Sequence, residues 1–195
     1  MEENNKLKKF TLCLLFDIKG AFDNAWHPGI LKKLLDLGCP TPLVMLIKSY
    51  LSDRSVSYGD KADNITRILQ KSCPQGSILS PFLWSINMDD LLRSELTTGC
   101  TIQAYADDIC ITISSKDVNF LNHTAKKIFT LLEKWADENR LNFDVNKCEA
   151  IIFTKKREIP QINLRFLSHR IPISYLGLIL DRVRYLGLIL DRKLL

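Results

Sequence analysis

The sequence predicts one α+β domain. Three observations carry that expectation. Apolar runs of strand length alternate with stretches of helical periodicity, in the order strand–helix–helix–hairpin–helix–hairpin–helix–strand. Two adjacent runs near the middle alternate residue by residue, the period of a half-buried hairpin, whereas the stretches around them recur at i, i+3 and i+4. The 195 residues, 46% hydrophobic and 25% charged, suffice for a single core, and no linker composition occurs before about residue 155.

Residues 11–16 form a continuous apolar run ending in Asp17-Ile18-Lys19-Gly20, the pattern of a buried strand with an acid at its C-terminal edge. Pro28 opens a helix that passes Leu34 and Leu35, with Gly38 just past its end. Thr41-Pro42 opens a second, whose apolar face reads Leu43, Leu46, Ile47, Tyr50 and Leu51. Residues 55–58 and 65–71 read as two short strands around a Gly/Asp/Asn turn. Ser80-Pro81 opens a third helix, expected to run to about Leu96. Residues 101–106 and 109–114 alternate, Ile109, Ile111 and Ile113 share a face, and Asp107-Asp108 separates the runs, so two carboxylates are expected at a hairpin tip. Leu121, Ala125, Ile128, Leu132 and Trp135 form a helical stripe, and residues 149–153 read as a strand after the Asn146-Lys147 turn.

The six cysteines form no CxxC or Cys/His cluster, which argues against a structural zinc site. His27, His123 and His169 are scattered and are read as structural. The N-terminal nine residues are polar, and no apolar run approaches the roughly 18–20 residues of a membrane helix. The expectation is a soluble, intracellular protein with reduced thiols and no membrane partner. The net charge is +5, but residues 154–195 hold nine Lys/Arg against three Asp/Glu, which leaves residues 1–153 near −1. A near-neutral body with a basic tail allows a polyanion partner without demanding one. Lys155-Lys156-Arg157 reads as a solvated turn. Residues 175–182 and 185–192 both read YLGLILDR, too few copies for a solenoid and more in keeping with a local tandem duplication.

The chemistry rests on three acids. Asp17 ends a strand, and Asp107 and Asp108 sit at a hairpin tip. If strand and hairpin are sheet neighbours, the carboxylates converge, and such oxygen donors suit Mg²⁺, which usually keeps one or two carboxylates plus substrate phosphates. The alternative for the Asp-Asp pair alone is a surface turn, where Asp is common.

Five motifs then occur in order: Phe16-Asp17-Ile18-Lys19-Gly20-Ala21-Phe22-Asp23, Pro74-Gln75-Gly76-Ser77, Tyr105-Ala106-Asp107-Asp108, Asn146-Lys147-Cys148-Glu149 and Tyr175-Leu176-Gly177. Together they resemble the palm of a reverse transcriptase, motifs A to E, and in detail (FDIKGAFDNAWHPGILKKL, CPQGSILSPFLWSINMDDLL, LNFDVNKCEAIIFTKK) that of arthropod non-LTR, LINE-type retrotransposons of the site-specific group. The resemblance implies an α+β palm, an antiparallel sheet with helices packed on one face, over residues 1–177, and a duplicated, irregular tail over 178–195. It implies an RNA-directed DNA polymerase working through two Mg²⁺ ions, with Mn²⁺ as an alternative, held by Asp17, Asp107 and Asp108 and by the Ile18 carbonyl. Plain strand packing is the other reading of Ile18. Phe22 would floor the sugar pocket, with core packing as its alternative. Gln75 and Gly76 would meet template or incoming nucleotide, or simply cap the helix at Pro81. Lys147 would act near the leaving pyrophosphate, or be a solvated turn lysine. Tyr175, Leu176 and Gly177 would form the primer grip, a role the copy at 185–187 could also claim. The implied partners are an RNA template, a DNA primer and deoxynucleoside triphosphates, and the implied location is the nucleus.

The family's basic fingers should precede the first motif, and its thumb should follow the last. The expectation is therefore a fragment, with fingers and thumb largely missing and little polymerase activity by itself. Two other readings remain: an inactive remnant that at most binds RNA weakly through its basic tail, and an unrelated Mg²⁺ nuclease, which fits the acids but not the Gln75-Gly76 loop.

Overall fold

The computed structural model describes residues 9–59, 65–154, 160–177, 182–185 and 188–191. The elements in chain order begin with β1 (Phe10–Asp17), α1 (Ala21–Asn24), α2 (His27–Asp36), α3 (Thr41–Leu51), β2 (Ser55–Tyr58), β3 (Ile65–Ile68) and α4 (Leu79–Leu92). They continue with β4 (Cys100–Tyr105), β5 (Asp108–Ser115), α5 (Val118–Asn139) and β6 (Glu149–Thr154). The last are β7 (Arg165–Phe166), β8 (His169–Arg170), β9 (Ile173–Gly177), β10 (Arg182–Tyr185) and β11 (Leu188–Asp191). The mixture is α+β, as the sequence predicts. The chain divides into two compact units, one of residues 1–18, 94–135 and 143–195, the other of residues 19–93 and 136–142.

The first unit is built on a five-stranded sheet in the order β4-β5-β1-β6-β9. All its ladders are antiparallel except β6–β9, which is parallel. β1 is buried along nearly its whole length, because it is central and covered on both faces. On one face Leu12, Leu14 and Phe16 stand opposite Ile113, Ile111 and Ile109. There Phe16 meets Phe129 of α5 at 6.1 Å between ring centroids, Phe143 at 5.8 Å and Phe166 at 5.1 Å. The α5 stripe of Leu121, Ala125, Ile128 and Leu132 is buried as its periodicity requires. The first turn of α5 is capped by Asp117, whose carboxylate accepts from the Asn119 N–H. On the other face Cys13, Leu15, Ile151 and Phe153 form a smaller apolar cluster with Cys110 against it.

The second unit holds α1 to α4 and the exposed β2–β3 ribbon. Lys33 of α2 is drawn into it, donating to the Asn87 carbonyl at 2.5 Å and to Asp90 at 2.8 Å. Burial lowers its pKa, and the Asp90 carboxylate opposes that shift.

Several expectations shift. The apolar face of α3 is rotated: Val44 and Leu51 are buried, whereas Leu43, Leu46 and Tyr50 are exposed. α4 ends at Leu92 rather than near Leu96. The central hairpin turns on Ala106-Asp107, and Asp108 already belongs to β5, opposite Tyr105. Ala106 has φ 53° while Asp107 does not share a positive φ, so the link is a two-residue turn with the left-handed backbone at its first position. The two YLGLILDR copies take different places. Tyr175-Leu176-Gly177 lies in β9 beside β6, whereas Tyr185 ends β10, which pairs with β11. Residues 182–185 and 188–191 are therefore a regular ribbon, and the remainder of 178–195 lies outside the described residues.

Candidate active site

The acids converge because of strand register. Asp17, the last residue of β1, is the direct partner of Asp108, the first of β5, in an antiparallel ladder. Facing residues in such a ladder project to the same side. Asp107 immediately precedes Asp108 in the turn. All three are partly exposed, at the open end of strands whose other residues are largely buried.

Lys147 closes the group. A turn in which the Lys147 N–H donates to the Asp144 carbonyl, and the Asp144 N–H to the Asp17 carbonyl, carries the chain back to the end of β1. The Lys147 ammonium then donates to both carboxylate oxygens of Asp17, at 3.1 and 3.2 Å. This hydrogen bond, and next the Asp17 charge, raise the Lys147 pKa, with Asp144 and Asp107 adding to it. Lys147 is therefore a cation throughout the neutral range. The Asp108 carboxyl is held above its ordinary value by burial first, then by the Asp107 and Asp17 charges, with Lys147 opposing. Asp144 is the acid that sequence reasoning missed. Its signal was the Asp-Val-Asn-Lys turn, in which its carboxylate accepts from the Asn146 N–H.

Among the described residues no three acidic, histidine or cysteine side chains stand close enough to enclose a metal ion. The donor chemistry nonetheless suits Mg²⁺. It is all oxygen, it gathers negative charge that raises one carboxyl pKa, and a cation, the Lys147 ammonium, already straddles one carboxylate. A Mg²⁺ that keeps waters and phosphates requires no closed protein cage. Ile18 follows directly, its side chain buried and its backbone bridged to Phe143. Tyr175 and its two neighbours stand apart from the acids in the sheet order, in edge strand β9, with the Tyr175 hydroxyl donating to the Pro160 carbonyl at 3.2 Å.

The remaining site residues gather in the second unit. Phe22, in α1, is half-buried with its ring 5.6 Å from that of Trp84 in α4. The Cys73 N–H donates to the Phe22 carbonyl at 2.7 Å, and the exposed Gln75 amide donates to the Asp23 carboxylate at 3.3 Å. The first and second motifs are thus stitched together locally. Gly76 has φ 79°, and a Cβ there would meet nothing within 4 Å, so the glycine answers a backbone need on an open surface. Ser80 donates to the Pro74 carbonyl at 2.6 Å, fixing the loop to the start of α4.

Residues 1–190 match the reverse transcriptase (RNA-dependent DNA polymerase) family. The RNA-directed DNA polymerase from mobile element jockey of Drosophila funebris is 33% identical over 184 residues, 90% of this chain and 20% of that protein. A 115 kDa protein of the type-1 retrotransposable element R1DM of Drosophila melanogaster is 33% identical over 177 residues, covering 87% of this chain and 17% of its own length. The chain thus spans about a fifth of the curated relatives it matches. Among solved structures, Candida tropicalis telomerase in complex with a telomeric RNA fragment shares the fold over 84% of this chain and 28% of its own, with TM-score 0.62 at 12% identity. No helix among the described residues is long and apolar enough to cross a membrane. With the acids, the Gln-Gly loop and the sheet in place, the chain belongs to the reverse transcriptase family, as a domain of the LINE type.

Proposed function

We propose that this chain carries the nucleotidyl-transfer residues of an RNA-directed DNA polymerase acting on an RNA template, a DNA primer and deoxynucleoside triphosphates. The observation that carries the reading is the pairing of Asp17 with Asp108, with Asp107 beside them and Lys147 on Asp17. Asp17 and Asp107 would hold divalent ions, Mg²⁺ or Mn²⁺, with Asp108 less directly engaged and the Ile18 carbonyl as a main-chain ligand. When bound, such ions lower the pKa of a primer hydroxyl and neutralise triphosphate charge. The protein's own residues do the rest. Lys147, kept protonated by Asp17, offers a positive charge or a proton to a leaving pyrophosphate oxygen. Phe22, a rigid ring without an acceptor, excludes a ribose 2′-hydroxyl and leaves it unsatisfied. Gln75 and Gly76 present an amide and bare backbone to template or nucleotide. Tyr175, Leu176 and Gly177 would support the primer end.

The test grafts residues 10–172 into the jockey polymerase in place of the aligned segment and follows single-nucleotide incorporation. The graft is expected to polymerise. Asp107→Asn is expected to cost at least about a hundredfold, the scale of loss for one displaced reacting group, and Asp108→Asn to cost less. Phe22→Ala should retain deoxynucleotide incorporation and admit ribonucleotides. Wild-type rates for Asp107→Asn overturn the assignment. Metal-dependent cleavage of nucleic acid without nucleotides would favour the nuclease reading instead.

A further inference from the structure

The least comfortable backbone in the second unit belongs to Ser72, at φ 110°, a region that L-residues rarely adopt. It is held there from three sides. Its N–H donates to the Ala25 carbonyl at 2.9 Å. Its carbonyl accepts from His27 Nε2 at 2.8 Å and from an Arg54 guanidinium N–H at 3.3 Å. His27 is nearly buried and opens α2, while Arg54 immediately precedes β2 and takes the Leu69 N–H on its own carbonyl. One residue beyond this point the chain delivers the Cys73 N–H to the Phe22 carbonyl, and three residues beyond it the Gln75 amide to Asp23. A strained residue persists only when its surroundings over-determine it, and such strain concentrates where geometry matters.

We infer that His27, assisted by Arg54, is a positioning residue: by clamping the Ser72 carbonyl it fixes the Cys73–Gly76 segment against the α1 turn that carries Phe22, and so sets nucleotide selection. Both side chains reach the Ser72 carbonyl and act without touching substrate. Both act through one carbonyl, which has two lone pairs and uses one for each donor. His27 is the stronger partner by distance. A glutamine at 27 presents an amide N–H at similar reach, whereas an alanine presents none. This inference rests on the reading of Phe22 and Gln75 given above.

The test is amide exchange in the 195-residue chain, compared among wild type, His27→Ala, His27→Gln and Arg54→Gln. His27→Ala is expected to speed exchange of the Cys73 amide about tenfold, the factor of one lost buried hydrogen bond. The amides of α2 and α4 should keep their wild-type rates, which a general loss of stability would not allow. His27→Gln should return Cys73 to near wild type, and Arg54→Gln should have a smaller effect of the same sign. In the graft, His27→Ala should raise the nucleotide KM several-fold with kcat little changed, and His27→Gln should reverse it. Unaltered Cys73 exchange in His27→Ala, or acceleration spread evenly through α2 and α4, overturns the clamp whatever Phe22→Ala does. If Cys73 responds as expected but Phe22→Ala leaves sugar selection untouched, the clamp stands and the assignment of Phe22 falls.

Discussion

Asp17 and Asp108 face each other across one rung of the sheet, an arrangement that an isolated fold would avoid. Like charges directly opposite in a ladder are destabilising, by about 0.2–1 kcal/mol. Asp108→Asn is therefore expected to stabilise the metal-free chain by about that amount at neutral pH while impairing catalysis in the graft. The sign with pH follows from the raised Asp108 pKa. The folded state holds this proton more tightly than the unfolded chain does. The stability it contributes is present below the ordinary carboxylate range and lost as pH rises through the folded value. The gain from Asp108→Asn should thus be full near pH 7 and fade as pH falls through the carboxylate range, as urea titrations at both ends would show. A variant less stable than wild type at pH 7 would mean that Lys147 already compensates the charge. Gly29 makes a different demand. A Cβ there would stand 2.8 Å from the Trp26 ring, so its missing side chain is a matter of space, and its φ is ordinary.

At the scale of elements, the β4–β5 turn stores strain in Ala106, whose φ of 53° suits glycine. Ala106→Gly should relieve about 1 kcal/mol of it, partly offset by the freer unfolded chain, and a higher thermal midpoint is the expected readout. In α5, Leu132 is fully buried, and Leu132→Ala should cost about 2–5 kcal/mol, measured as a loss of denaturation midpoint. Both elements were largely legible beforehand. The α5 stripe declares itself because period 3.6 over about four turns has no rival reading, and Ile109, Ile111 and Ile113 fix their strand's buried face. The turn was misplaced by one residue, since two acids look like turn formers and nothing in their identity says that Asp108 must keep its ladder bond. The exposed face of α3 was misread because an apolar stripe records what can be buried, not what is buried in this chain. Asp17, Asp107, Asp108 and Lys147 were nameable from their motifs. The Ser72 clamp was not, because a carbonyl's partners and a positive φ at serine leave no mark on composition.

For the molecule as a whole, charge decides what it can hold. Residues 1–153 sum to about −1 and residues 154–195 to +6. Single-stranded RNA should bind weakly and with a salt dependence carried by the C-terminal charges. Replacing Lys155, Lys156 and Arg157 by glutamine should flatten the log–log salt slope by about 2, at roughly 0.7 per phosphate contact for a single strand. Filter binding between low and physiological salt measures this, and an unchanged slope would place the RNA contacts elsewhere.

The parallel pairing of β9 with β6 has a consequence for how this chain finds its native state. β9 reads Ile-Ser-Tyr-Leu-Gly, and ten residues later the chain reads Val-Arg-Tyr-Leu-Gly. The same slot beside β6 can thus be addressed in two frames that differ at two positions, Ile173 against Val183 and Ser174 against Arg184. Choosing the later frame lengthens the connection from Thr154 by ten residues, which costs only about 0.4 kcal/mol in closure entropy. Loop length is therefore a poor arbiter. Discrimination falls on one site, where Ser174 lies beside Ile151 on a sheet face that a guanidinium would have to share with buried Phe153. Selection between the frames is thus a competition settled by solvation of one side chain. Ser174→Arg should bring the two frames close to degeneracy, visible as doubled amide resonances along β6 exchanging slowly with one another.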